Sequence, residues 1–72
     1  SMMILQVDEQ DRPIGPIDKL VAHQHNICHR AFSVFIFRQC RGVRQILLQQ
    51  RRGIINRKEK QEEASVRGQY YS

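Results

Sequence analysis

Apolar and polar positions alternate along the first half of this chain, and the rhythm changes at identifiable points. Met2–Val7 is apolar and β-prone, with Met3, Leu5 and Val7 on one side, which predicts a short strand. Asp8–Pro13 is polar, carries a proline and soon reaches Gly15, the chemistry of a turn between two strands. Ile14–Ile17 predicts a brief second strand. Asp18 then stands where a helix N-cap belongs, ahead of Lys-Leu-Val-Ala-His, with Leu20, Val21 and Gln24 on a shared face.

Ala31–Phe37 is the strongest signal. Phe32, Val34 and Ile36 point one way, while Ala31, Ser33, Phe35 and Phe37 point the other. Apolar residues on both sides predict a central strand covered on both faces, with all three phenylalanines in the core. Gln39–Gly42 predicts a turn, and Val43–Gln50 a second strand with Ile46–Leu48 at its buried middle. The two strands are expected to form an antiparallel hairpin. From Arg51 the character shifts. Asn56–Val66 is highly charged and reads as a mobile loop or an exposed helix capped by Asn56. Lys58 with Glu62 and Glu63 with Arg67 would be weak pairs along it.

These elements fit one small α/β unit. Seventy-two residues lie near the lower limit for a self-sufficient core. The expected division is a folded part over residues 1–51 and a charged loop or helix over 52–72. The net charge of +5 favours anionic partners without choosing among phosphates, nucleic acid and membrane surfaces. No base-reading motif accompanies it, so nucleic acid is not favoured. No apolar run approaches the roughly 18 residues of a membrane span, and no charged-then-apolar leader opens the chain. The expected setting is the reducing cytoplasm, with Cys28 and Cys40 as thiols, although a bridge between them is conceivable.

The linear order of motifs adds a resemblance. Val7-Asp-Glu, Pro13-Ile-Gly, Lys19, Ala22-His23, the run His29-Arg-Ala-Phe-Ser-Val-Phe-Ile-Phe37 and Leu47-Leu-Gln-Gln-Arg51 follow one another over about 45 residues. This order resembles the N-terminal part of type I isopentenyl-diphosphate isomerases, a branch of the Nudix superfamily. The resemblance implies a partial Nudix-like fold, with a small mixed or antiparallel sheet and one or two helices. It implies conversion of isopentenyl diphosphate to dimethylallyl diphosphate, a step of isoprenoid biosynthesis.

Carried over residue by residue, His23 and His29 match the first two histidine ligands of the family's divalent metal, Mn or Zn at the histidine site. Lys19 and Arg51 match basic residues that hold the substrate diphosphate, on which Mg rides. Neutral imidazoles suit such metals, and a diphosphate calls for fixed cationic donors. The family's catalytic Cys segment, its third histidine and its Glu-bearing Nudix helix have no counterpart in these residues, so the chain is expected to be catalytically incomplete. Cys28 and Cys40 do not align with the catalytic Cys, and His25 is expected to be exposed. Half a fold leaves an apolar face and a sheet edge open, which predicts a homodimer or a piece of a longer protein. Two other readings remain: a Nudix hydrolase of nucleoside diphosphate derivatives, and a non-catalytic binding or assembly protein on a truncated scaffold.

Overall fold

The structure is a computed structural model that describes residues 2–33, 35–47 and 57–71. The elements in order are β1 (Met3–Val7), β2 (Pro13–Asp18), α1 (Lys19–Gln24), β3 (His29–Phe32), β4 (Ile36–Cys40), β5 (Val43–Leu47), α2 (Arg57–Arg67) and β6 (Tyr70–Tyr71). The six strands form one antiparallel sheet in the order β2-β1-β3-β4-β5-β6. This is the α/β class, with a small antiparallel sheet and two helices, that the pattern predicts.

The β1–β2 turn is built by Asp8. Its carboxylate accepts from the backbone N–H of Gln10 and of Arg12, both at 2.9 Å, and from Arg12 Nε at 2.8 Å. Those bonds to the charged form, the Arg12 backbone first, hold the Asp8 carboxyl below its ordinary pKa. Asp11 then takes a left-handed backbone, φ 66°, a conformation that aspartate tolerates better than most residues.

Asp18 caps α1 as expected, accepting from Leu20 N at 2.8 Å and Val21 N at 3.4 Å. The helix buries a different residue from those expected. Ala22 is fully buried, whereas Leu20 and Val21 are exposed. The Lys19 N–H donates to Met2 O at 2.8 Å, which pins the first turn to β1 and leaves position 22 facing the sheet. Only a side chain as small as alanine's lets the helix approach that closely. The helix stops at Asn26 (φ 53°), where Ile27 N donates to Ala22 O at 2.9 Å, a Schellman closure.

The Phe-rich run departs most from expectation. It is not one strand. β3 and β4 run antiparallel, so that Ala31 pairs with Phe37 and Phe32 with Ile36. A strand apolar on both faces needs cover on both, and this chain has too few apolar residues to supply it. Folding back gathers Phe32 and Ile36 on one face over α2 and leaves Phe35 exposed at the tip. Phe37 stays half-buried beneath the Arg44 guanidinium, 4.3 Å from its ring. The expected turn near Gly42 is a two-residue hairpin. Arg41 (φ 54°) and Gly42 (φ 77°) both take the left-handed backbone that such a turn demands.

Register defines the two faces. Leu5, Arg30, Arg38 and Gln45 stand opposite one another in a row across β1, β3, β4 and β5. Gln6, His29, Gln39 and Arg44 form the adjoining row on the other face. On the first face, Ile36 and Leu47 pack with Ala64 of α2, flanked by Phe32 and Tyr70. Gln61, one turn before Ala64, is buried too. The charged segment is therefore a helix with one covered side, and β6 beyond it adds to the sheet edge through Leu47 and Tyr70. Asn56, the Leu48–Gln50 end of the second expected strand, and the side chains of Lys58 and Arg67 lie outside the described residues.

Cys28 and Cys40 are joined by a disulfide, with Cα atoms 4.2 Å apart. They flank the His29–Gln39 pair, so the β3–β4 register sets them directly across from each other. Local pairing thus brings together two cysteines that the sequence reading leaves as thiols.

Candidate functional site

Two of the four expected site residues meet. His23 lies on α1 and His29 opens β3, and their ring centroids are 5.1 Å apart with planes inclined at 41°. The Schellman closure at Asn26 produces this meeting, because it turns the chain back so that β3 begins beneath the helix. His23 is exposed and His29 is buried. His29 Nδ1 lies 2.6 Å from Ile27 O. A carbonyl oxygen only accepts, so Nδ1 carries a proton, and in the neutral ring the lone pair is then on Nε2. That is the tautomer of a ligating imidazole, oriented by a backbone carbonyl. The two rings line a cleft of about 250 Å³ shared with Asn26, Gln39 and Arg41.

Among the described residues, no group of three or more His, Cys, Asp or Glu side chains is placed to hold a metal ion. The structure brings two imidazoles together there and, among the described residues, no third ligand beside them. Lys19 does not line this cleft. It borders a separate, wider groove of about 620 Å³ with Met2, Met3, Phe32 and Phe37. Arg51 lies outside the described residues. His25 is exposed, as expected.

The pattern missed a second cluster on the opposite face. Arg30 is entirely buried, and its Nε donates to Asp11 Oδ1 at 2.9 Å while Nη2 donates to Asp11 O at 2.6 Å. Arg38 Nη1 approaches the same Asp11 oxygen at 3.7 Å, and its Nε donates to Gln45 Oε1 at 2.7 Å. The Arg38 guanidinium also lies over the Tyr70 ring, 4.5 Å from its centroid. Burial pushes the Tyr70 phenol up to about 12, with Arg30 opposing the shift and Asp11 adding to it. The sequence reading begins its strand at Ala31 and so leaves Arg30 just outside it, whereas β3 includes Arg30. Nothing local said that the partner would be Asp11.

No protein-family model matches the chain, and no solved structure does. Curated proteins do match. Isopentenyl-diphosphate Delta-isomerase of Burkholderia multivorans is 46% identical over 48 residues, covering 67% of this chain and 26% of that protein. The protein of the same name from Serratia proteamaculans is 47% identical over 49 residues, covering 68% and 26%. That from Aliivibrio fischeri is 40% identical over 48 residues, covering 67% and 26%. About two thirds of this chain is thus similar in sequence to isopentenyl-diphosphate Delta-isomerase, and the chain spans about a quarter of the length of those relatives.

Proposed function

We propose that this chain is the first part of a type I isopentenyl-diphosphate isomerase of Nudix type and is catalytically incomplete by itself. The observation that carries this reading is the His23–His29 pair. Its rings stand 5.1 Å apart, with the His29 Nδ1 proton committed to a backbone carbonyl, inside a stretch similar to the isomerases. In the complete fold His23 and His29 would hold one side of a divalent ion, Mn or Zn, which when bound would supply a fixed positive charge beside the substrate. Lys19 and Arg51 would act as cationic contacts to the oxygens of the substrate diphosphate, which itself carries the Mg.

The groups that add and remove the proton come from the part of the isomerase that these residues do not include. The apolar side chains left open, among them Met2, Met3 and Phe35, are covered by that remainder or by a second copy of the chain. Similarity to the isomerases is what supports a cytoplasmic setting in this reading, since the Cys28–Cys40 disulfide removes the free-thiol argument for it. Among the described residues, no helix is long and apolar enough to cross a membrane.

The test has two arms. The purified 72-residue chain is expected to give no conversion of isopentenyl diphosphate. A chimera in which it replaces the matching quarter of an isomerase is expected to turn over, and to lose both activity and Zn binding with His29→Ala. Conversion by the chain alone would overturn the incompleteness, and an active His29→Ala chimera would overturn the ligand role.

A further inference from the structure

The wide groove that Lys19 borders is separate from the histidine cleft, and its shape comes from the sheet. β1 and β3 pair at Leu5–Arg30 and Gln6–His29. Toward Met2 the two strands part, and the groove of about 620 Å³ opens between them. Its walls come from both faces of the sheet: Phe37 and Arg44 from the histidine face, Phe32 and Gln61 from the face that carries α2. It is therefore a slot between strands, and a straight chain fits it better than a ring. The lining is mostly apolar, and no acidic side chain belongs to it among the described residues. Met2 and Met3 are largely exposed at its rim, where unbranched thioethers adapt readily to an apolar guest.

Two cations border the slot, Lys19 on α1 and Arg44 on β5. Among the described residues no salt bridge engages either of them. A third positive charge, Lys60 Nζ, stands 5.4 Å from the centroid of the Phe32 ring in the same wall. Concave apolar space with a few convergent charged groups is the usual form of a small-molecule site. The walls call for hydrocarbon, and the cations call for a negative charge at one end of it.

We propose that this groove binds a single-chain fatty acid. The hydrocarbon lies between β1 and β3, against Phe32 and Phe37. The carboxylate sits at the mouth on the histidine face, forked by the Arg44 guanidinium and attracted by the Lys19 charge. The short branched hydrocarbon of isopentenyl diphosphate would leave most of the slot empty. The site thus goes beyond the isomerase reading and makes no use of the histidine pair.

The chain has two methionines, and both line the groove. Methyl-¹³C methionine labelling of the full 72-residue chain therefore places every probe on the site. Laurate, added below its micelle concentration, is expected to shift both methyl resonances saturably. Dodecyltrimethylammonium, which has the same tail and the opposite charge, and acetate, a head without a tail, are expected to give no saturable shift. Arg44→Gln is expected to raise the half-saturating laurate concentration about tenfold, and Lys19→Gln by a smaller factor. Both residues are exposed, so the fold tolerates either change. No shift with laurate, or equal responses to the anionic and cationic amphiphiles, would overturn the proposal. An unchanged half-saturation in both variants would overturn the placement of the carboxylate. Displacement of laurate by an equal concentration of isopentenyl diphosphate would assign the groove to the isomerase substrate and overturn the fatty-acid site. An inactive isomerase chimera would fail the isomerase reading and leave this one standing.

Discussion

Arg30 and Asp11 are nineteen positions apart in the chain and meet at 2.9 Å, with the arginine completely enclosed and the aspartate nearly so. This contact ties the β1–β2 turn to the middle of the sheet, because Arg30 lies on β3 opposite Leu5 of β1. Asp11→Ala is expected to cost about 3–5 kcal/mol, since it leaves a buried guanidinium without a counter-charge. The double change Asp11→Ala with Arg30→Met is expected to cost less than Asp11→Ala alone. Urea unfolding midpoints at unchanged slope check both, and a double variant that is the weaker of the two would refute the account.

Tyr70 sets a limit on the alkaline side. Its phenol is pushed up to about 12 from an ordinary value of 10.0, chiefly by burial. The folded chain therefore holds this proton more tightly than the unfolded one. The stability involved is fully present below pH 10.0 and is lost as pH climbs through that value toward about 12. In a Tyr71→Phe background, phenolate absorbance is expected to report a midpoint near the upper value, and Tyr70→Phe is expected to flatten stability across this interval.

The disulfide closes a loop with a sequence separation of 12. Reducing it is expected to cost about 2–3 kcal/mol, mainly by freeing the unfolded chain. Because Cys28 precedes His29, reduction should also loosen the imidazole pair. Urea titrations with and without a phosphine reductant check the first effect. The Cys28→Ser, Cys40→Ser double variant should be indifferent to the reductant.

Gly68 follows α2, and its N–H donates to Ala64 O at 2.9 Å. A Cβ there would run into the side chain of Leu47 and stand 3.1 Å from Ala64 O. Leu47 belongs to the core, so Gly68→Ala is expected to cost about 1–3 kcal/mol through overpacking. A midpoint equal to that of the parent chain would show that β6 shifts freely.

Signals carried by a few neighbouring residues were readable in advance. Asp8–Pro13 spelled its turn, Asp18 its cap, and the order His23…His29 the two rings that meet. Two features were not readable, for different reasons. Ala31–Phe37 has apolar residues on both sides, so its pattern fits a long covered strand and a folded-back pair equally. Which one forms depends on how much apolar surface the rest of the chain can lay over it. The burial of Arg30 depends on Asp11 arriving from another turn, and alternation within β3 carries no information about that. The helix over 57–67 looked fully solvated because it is rich in charge, yet Gln61 and Ala64, three apart, were enough for one side to settle on the sheet.

The strand order β2-β1-β3-β4-β5-β6 carries a kinetic implication. Most neighbours in the sheet are also neighbours along the chain, and only the β1–β3 contact steps over another strand. Chain segments thus search short distances before they touch, which lowers the entropic toll of closure and favours rapid acquisition of native pairing for an all-antiparallel sheet.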